Sequence, residues 1–288
     1  MPEDFFAGVD QVELKVDGGT ALFPIFYQDA RMFTLVLPAN LLKLRRMLPD
    51  SRFVPAQLFP GVGAVVLTAF EYYDTDIKPY NEFSISILLN APYYSPLPAY
   101  NVMRQVLAGL FNVYIYHLPV TTEIALRGGI DYYNYPKFLA DIDFSDTPGT
   151  IACDLSRDGD RILSMNGEKA PTRELGEKKF MCNLYQSRQP QLAEFKLNVI
   201  EGAIKFMPSD VSWSFNPANP IGRELSEVVI GNMAMMYMYM PKIQCILYGP
   251  ESMSMPLLRH AMEMGLLPAR PGAAKKPAAR KAAAKKRA

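Results

Sequence analysis

The chain has 288 residues, of which 49% are apolar, and its formal net charge is +1 at pH 7. This length and composition suit one large domain or two modest ones with a substantial buried core. The three cysteines, Cys153, Cys182 and Cys245, are far apart and include no CxxC pair, so neither a disulfide framework nor a zinc site is indicated.

The predicted elements are mostly strands, rich in β-branched and aromatic residues and separated by proline and glycine. Among the predicted helices, the one over 40–48 has Asn40 as a candidate N-cap. In chain order we predict a strand over 31–37, a helix over 40–48, strands over 63–73 and 81–90, a helix over 99–110, a strand over 112–118, a helix within 121–130, and strands over 137–144, 179–187 and 194–206. Strands outnumber short helices without regular alternation, which favours an antiparallel α+β fold.

The C-terminal segment 270–288 differs from the rest of the chain in composition. It holds eight of the thirty basic residues and no acidic residue, so residues 1–269 carry an excess of acid. A Lys/Ala/Pro-rich segment buries little surface, and we expect a disordered, solvated tail after a single domain over residues 1–269. The less favoured alternative is a contact with nucleic acid or another acidic partner through charge alone.

Sequence motifs of the commonest enzyme classes are missing. There is no P-loop, GxGxxG, GxSxG or HExxH. The two histidines, His117 and His260, are interpreted as structural, and Asp74 with Asp76 as residues that cap a Lys-Pro turn. No stretch approaches the roughly 18 apolar residues of a membrane-spanning helix, and the acidic N-terminus lacks a signal pattern, so we expect a cytoplasmic protein that makes no membrane contact.

Lys137 is unusual because it follows a proline at the end of an aromatic run, in "YYNYPKFLADIDF" (132–144). Period-two alternation places it on the polar face of a strand over 137–144, opposite Phe138. In an open sheet that face meets water. In a closed sheet it lines an interior, where loss of hydration favours a neutral, nucleophilic amine. The pattern alone leaves both interpretations open.

Two segments carry a family resemblance: "YDTDIKPYNEFSISI" (73–87), and "TTEIALRGGIDYYNYPKFLADIDF" (121–144) about fifty residues later. Together they resemble the acetoacetate decarboxylase-like family, with its Tyr-x-Glu segment followed by a Tyr-Pro-Lys segment. The stretches "VLPANLLKLRRMLP" (36–49) and "MPKIQCIL" (240–247) are also similar. The resemblance implies an antiparallel β-cone packed with helices, a site in its interior, a homo-oligomer, and no metal or organic cofactor.

The resemblance assigns the Schiff-base lysine to Lys137 and the acid/base glutamate to Glu82. Four further positions are expected near the substrate. The family's second lysine is Phe138 here, and a further glutamate is Leu67. The early arginine aligns nearest to Ala30, with Arg31 one position away. Gly129-Ile130-Asp131 replaces a Gly-Arg-Glu segment, with Arg127 close by.

The resemblance therefore implies a carbon-carbon lyase that forms a lysine imine with a keto acid and most directly decarboxylates a β-keto acid. Aldolase or dehydratase chemistry through the same imine is an alternative, as is a noncatalytic ligand-binding relative. We expect a pocket more apolar than a very small keto acid needs, because of Phe138, Leu67 and the run "GNMAMMYMYMP" (231–241). The favoured interpretation of the methionines in this run is nevertheless that they are core residues.

Overall fold

The structure is a computed structural model that describes residues 4–16, 19–90, 97–186 and 189–252. The predicted tail over 270–288 and His260 lie outside these residues. The described chain forms fourteen strands: β1 (Val12–Val16), β2 (Gly19–Phe23), β3 (Ile25–Asn40), β4 (Val62–Thr75), β5 (Tyr80–Leu88), β6 (Leu110–His117), β7 (Asp141–Asp146), β8 (Thr150–Arg157), β9 (Asp160–Glu168), β10 (Gly176–Gln186), β11 (Gln189–Phe206), β12 (Val211–Phe215), β13 (Met236–Leu247) and β14 (Glu251–Ser252).

Four helices accompany these strands: α1 (Leu41–Met47), α2 (Pro98–Ala108), α3 (Glu123–Asp131) and α4 (Pro220–Val228). Asn40 caps α1 as predicted, since its side-chain oxygen accepts hydrogen bonds from the N–H groups of Leu42 and Lys43, both at 3.1 Å. The predicted helices at 40–48, 99–110 and 121–130 correspond to α1, α2 and α3.

The main sheet closes on itself. Its strands follow the order β10-β6-β5-β4-β3-β13-β11, and β11 also pairs with β10, which produces a seven-stranded barrel with β14 attached to β11. The pairings are antiparallel apart from that of β6 with β10, which is parallel. The mostly antiparallel α+β fold with a closed, barrel-like sheet is confirmed.

A second sheet, in the order β12-β9-β8-β7, packs against the outside of the barrel. Strand alternation therefore divides the barrel's side chains between two apolar regions. One face of β4 contributes Val66 and Phe70 to the barrel interior, and the other contributes Val65 and Leu67 to the core between the two sheets.

The segment around Lys137 differs from its prediction. The strand expected over 137–144 begins only at Asp141, because residues 132–140 form an irregular connection between α3 and β7. The predicted apolar face is nevertheless present: Phe138, Ala140, Ile142 and Phe144 all pack in the inter-sheet core.

Candidate active site

Lys137 points into the barrel although the residues around it are not in a strand. Its N–H donates to the carbonyl of Tyr135 at 2.8 Å, and the carbonyl of Pro136 accepts from the N–H of Leu118 at 3.1 Å. These bonds tie the connection to the end of β6 and turn the lysine side chain inward. Only 4% of that side chain is exposed. Of the two interpretations left open by the sequence, the buried one is correct.

Inside the barrel, Lys137 meets the glutamate of β5. Lys137 Nζ donates to Glu82 Oε2 at 2.7 Å, and the glutamate side chain is 10% exposed. The Tyr72 hydroxyl donates to the other carboxylate oxygen at 3.3 Å. The ammonium also lies 5.8 Å from the ring centroid of Tyr80 and 5.9 Å from that of Tyr135, within cation–π range.

Buried tyrosines surround this ion pair. The hydroxyls of Tyr27 and Tyr80 lie 3.1 Å apart, and the ring of Tyr72 packs against both tyrosines. Burial first, and the charge of Glu82 second, raises the pKa of Tyr27, Tyr72 and Tyr80 well above the ordinary value. The three phenols are therefore neutral at physiological pH, and each retains a hydroxyl proton that can be donated.

Two voids meet at the ion pair. Glu82 lines a cavity of about 50 Å³, and Lys137 lines a smaller void of about 10 Å³. Tyr27 and Leu247 line both, so the pair lies in the wall between them. The larger cavity is bounded by both polar and apolar residues: Tyr27, Val66, Thr68, Phe70, Tyr72, Glu82, Ser84, Ser86, Val113, Ile115, Leu118, Tyr135, Phe180, Cys182, Phe195 and Leu247.

Gly129 in α3 makes room for the lysine chain. A Cβ added at this glycine would lie 2.4 Å from both Cδ and Cε of Lys137 and 3.1 Å from its Nζ. Any larger residue would displace the lysine. The glycine of the family's Gly-Arg-Glu segment thus has a steric role here, whereas Asp131 lies exposed at the helix end.

Leu67 and Phe138 do not lie in the cavity, contrary to the expectation from the sequence. Leu67 is fully buried in the inter-sheet core, because its neighbours Val66 and Thr68 occupy the barrel face of β4. Phe138 packs on the outside of the barrel beside His117, and its ring lies 5.1 Å from the guanidinium of Arg157. Neither residue is retained in the proposed site.

The two candidate arginines are also placed away from the cavity. Arg31 points to the outside of the barrel because Ala30 occupies the interior face of β3, and it pairs there with Glu71 at 2.5 Å and Asp146 at 2.8 Å. Arg127 lies on the exposed side of α3 and pairs with Glu123 at 2.8 Å. These positions correct the expectation that Arg31 and Arg127 contact substrate.

Several residues of the site were not identified from the sequence. Tyr72 and Thr68 reach the cavity from the strand predicted over 63–73, whereas Tyr27 lies in the part of β3 that precedes the strand predicted over 31–37. Phe70 on β4 pairs with Glu82 on β5, so the two side chains lie on the same face of the sheet. Thr68 and Tyr72, two positions before and after Phe70, share that face. The strand register that this pairing requires is not readable from the chain alone.

Some motifs prove to be structural. Asp76 accepts hydrogen bonds from the Phe26 N–H at 2.8 Å and the Gln11 amide at 2.6 Å, which anchors the β4–β5 turn. Throughout the described ranges, no cluster of three or more His, Cys, Asp or Glu side chains could hold a metal ion. Nor does any helix there have the length and apolar character needed to cross a membrane.

Sequence comparison identifies the family to which this barrel and its buried Lys-Glu pair belong. A family model described as acetoacetate decarboxylase (ADC) matches residues 15–198. The chain belongs to the acetoacetate decarboxylase family. No curated protein sequence matches it. The family resemblance noted in the sequence is thereby confirmed, while the identity of the reaction is not given by membership alone.

Solved structures of the family's fold are similar to this one at low sequence identity. Acetoacetate decarboxylase from Legionella pneumophila has a TM-score of 0.55 at 12% identity, covering 79% of this chain and 86% of that one. The enduracididine biosynthesis enzyme MppR, complexed with pyruvate, has the same TM-score and identity, covering 88% and 95%. MppR complexed with the condensation product of pyruvate and imidazole 4-carboxaldehyde has a TM-score of 0.53 at 13% identity, covering 79% and 87%.

Proposed function

We propose that this protein is a lyase that forms an imine between Lys137 and a keto acid and decarboxylates a β-keto acid. The observation that carries the proposal is the contact of 2.7 Å between Lys137 Nζ and Glu82 Oε2 inside the barrel, beside a cavity. A buried amine next to a proton acceptor is the arrangement that imine formation needs.

Glu82 is proposed to prepare the nucleophile. It accepts one proton from the Lys137 ammonium, which leaves a neutral amine whose lone pair attacks the ketone carbon. The carbinolamine formed then takes up the proton at its oxygen and loses water, which gives a protonated imine. Tyr72 holds the second oxygen of Glu82 and so keeps the carboxylate turned toward the lysine.

The cavity wall favours loss of carbon dioxide. Among the described residues that line the cavity none is an arginine or lysine, so a substrate carboxylate facing Phe70, Ile115 or Phe195 has no cation there to stabilise its charge. Its electron pair passes into the protonated imine as the carbon–carbon bond breaks, and the products are neutral carbon dioxide and an enamine. Protonation of the enamine carbon and hydrolysis then release a ketone and restore Lys137.

The same enamine permits a second class of reaction. It can add to an aldehyde, and the adduct can lose water, so an aldolase or dehydratase is the alternative within the family. MppR, which shares the fold, holds pyruvate and a condensation product of pyruvate in its structures. A noncatalytic protein that uses Lys137 only as a charge is the remaining alternative. Assembly as a homo-oligomer and the absence of a cofactor stay predictions.

The test is reduction with borohydride in the presence of a panel of keto acids, followed by peptide mass mapping. We expect one reduced adduct, located on Lys137, and no adduct in Lys137→Arg, because arginine stays protonated. Lys169→Arg is the matched control: Lys169 pairs with Asp146 outside the barrel and its loss should leave the adduct. Trapping on another lysine, or on none, would favour the binding protein.

Carbon dioxide release, aldol products and dehydration products are then measured with the same compounds. Trapping at Lys137 together with acceleration of decarboxylation over buffer supports the proposal. If trapping succeeds but no β-keto acid loses carbon dioxide faster than it does in buffer, the aldolase or dehydratase takes the place of the decarboxylase.

A further inference from the structure

A second and larger cavity lies at the end of the barrel covered by α2. It measures about 160 Å³, roughly three times the volume of the cavity at Glu82. Strands β3, β4, β5, β6, β10, β11 and β13 all contribute to its wall, together with the inner side of α2. Its lining is almost entirely apolar: Val36, Leu58, Val66, Leu88, Val102, Gln105, Val106, Phe111, Val113, Phe180, Phe206, Met235, Met236 and Met238.

Gln105 is the one polar residue among the described residues of this lining, and its hydrogen bonds are made to other parts of the protein. Gln105 Nε2 donates to the carbonyl of Leu89 at 2.9 Å, and its Oε1 accepts from the N–H of Asn112 at 2.7 Å. The amide therefore fastens α2 to the barrel strands and offers little to a ligand. Since buried polar groups need partners, only an apolar occupant matches this cavity.

The two cavities share a wall. Val66, Val113 and Phe180 line both of them, so one layer of side chains lies between the space at Glu82 and the apolar space beyond. On the far side stand Met236 and Met238, whose unbranched side chains change shape easily. A ligand that occupies both cavities requires the side chains of this shared wall, such as Phe180, to move aside.

We propose that the apolar cavity holds the alkyl chain of the substrate, which makes the substrate a β-keto acid with an unbranched chain of about six carbons beyond its keto carbon. The inference rests on the proposed function for the position of the keto group at Lys137. An apolar cavity of about 150 Å³ accepts a molecule of benzene, so about six carbon atoms fit in a cavity of this size.

The placement explains why one site needs both spaces. The ketone and carboxylate occupy the cavity that Glu82 lines, while the alkyl chain extends past Phe180 into the apolar cavity and is removed from water there. The methionines of β13 that the sequence favoured as core thus have a second role. Tyr237 and Tyr239, which alternate with them, pack in the inter-sheet core.

The first experiment measures decarboxylation by the wild-type protein on straight-chain 3-oxo acids of increasing length. Each methylene that enters the apolar cavity should raise kcat/KM about fourfold. The increase should stop once the chain exceeds about six carbons beyond the keto carbon, since the cavity is then full. A series that is flat, or that falls from acetoacetate onward, overturns the proposal.

A variant that fills the cavity gives the second experiment. Val106→Phe places a ring inside the cavity, and the ratio of kcat/KM for 3-oxononanoate to that for acetoacetate should fall at least tenfold. Leu107→Phe is the control on the same helix, since Leu107 is 79% exposed and does not line the cavity, and the ratio should not change. An unchanged ratio in Val106→Phe contradicts the proposal, and if that variant does not fold, the wild-type series decides.

A probe that cannot form an imine separates this inference from the proposed reaction. Octanoate and butyrate carry no ketone, and their binding is measured by calorimetry. Octanoate should bind more tightly than butyrate to the wild type and lose at least tenfold of its affinity in Val106→Phe. If this holds while no keto acid is trapped, the reaction is wrong and the cavity assignment stands. If trapping succeeds and octanoate binds no better than butyrate, the cavity assignment is wrong and the reaction stands.

Discussion

Lys137 Nζ lies 2.7 Å from Glu82 Oε2, and less than one-eighth of either side chain is exposed. A buried charge without a counter-charge lowers the stability of the fold, because the protein interior solvates an ion poorly. Each partner therefore makes burial of the other tolerable. The two residues are separated by 55 positions, Glu82 on β5 and Lys137 in the connection between α3 and β7. They are interdependent in stability and, by our proposal, in chemistry.

Removal of both partners should destabilise the protein by less than the sum of the two single losses. Lys137→Met leaves the Glu82 carboxylate with a hydrogen bond from the Tyr72 hydroxyl but without its counter-charge, and we expect a cost of about 3–5 kcal/mol in the free energy of unfolding. Glu82→Gln leaves the ammonium without its counter-charge. The double variant should be more stable than the sum of the two losses predicts, by about 1–3 kcal/mol. Urea unfolding of all four proteins measures this coupling, and strict additivity would contradict it.

Glu82→Gln also tests the division of labour at the site. The amide keeps the shape of the carboxylate but cannot take up a proton, so turnover should slow by about 10²-fold or more. Borohydride trapping at Lys137 should remain detectable, since the covalent bond is made by the amine. Wild-type turnover in this variant would remove Glu82 from the acid/base role.

The sequence predicted the individual elements of this site better than their placement. The run from Tyr80 to Leu88 alternates so regularly that a strand is the natural interpretation, and the same is true of most of β4. Whether a given face points inward depends on the pairing of β10 with β11, which closes the sheet. No motif in the sequence of these two strands indicates that they pair. The alternation count placed Phe138 correctly opposite Lys137, yet it could not show which of the two entered the barrel.

Strand alternation accounts for two of the misplaced candidates, Arg31 and Leu67. Because strand side chains alternate, Ala30 faces the interior and Arg31 the exterior, and a one-residue uncertainty moves a side chain across the sheet. Leu67 lies outside for the same reason, while Val66 and Thr68 line the cavity. The cavity at Glu82 has apolar residues in its wall, but they include Phe180 and Phe195 and neither Leu67 nor Phe138.

Arg31 should matter to stability rather than to chemistry. Its guanidinium makes paired hydrogen bonds of 3.1 and 2.8 Å to Asp146 and also binds Glu71, which joins the barrel to the second sheet. We expect Arg31→Met to lower the free energy of unfolding by about 1–2 kcal/mol, the lower part of the range for charged hydrogen bonds because Asp146 is partly exposed. Imine trapping measured beside thermal unfolding should be unchanged. If Arg31→Met lost imine trapping but kept wild-type stability, Arg31 would have to be assigned a role in substrate binding.

His117 should make the protein acid-sensitive. Burial lowers the pKa of this imidazole from 6.5 to about 4, whereas in the unfolded chain it takes up a proton near its ordinary pKa. Between those two values the unfolded state binds more protons, so stability falls as the pH is lowered from about 6.5 to about 4. The loss is at most about 3 kcal/mol for this group.

His117→Phe should reduce that pH dependence, since phenylalanine fills the space beside Phe138 without titrating. The measurement is the free energy of unfolding in urea at pH 7.5 and at pH 5. The difference between the two pH values should be smaller in the variant than in the wild type. Equal differences would show that His117 is not the residue responsible.

Gly129→Ala tests the position of the lysine without changing any polar group. The new methyl carbon would lie 2.4 Å from Cδ and Cε of Lys137, and the atoms that yield most easily are those of the flexible lysine chain. The fold should therefore change little in stability, whereas Nζ is displaced from Glu82. Because a misplacement of about 1 Å can cost a reaction about 10²-fold, we expect a large loss of trapping rate and turnover with a small shift in Tm.

Gly149→Ala is the control, since nothing lies within 4 Å of a Cβ at that loop position. If Gly129→Ala traps keto acids at the wild-type rate, the exact position of Lys137 is not needed for imine formation, and the role assigned to this glycine is wrong.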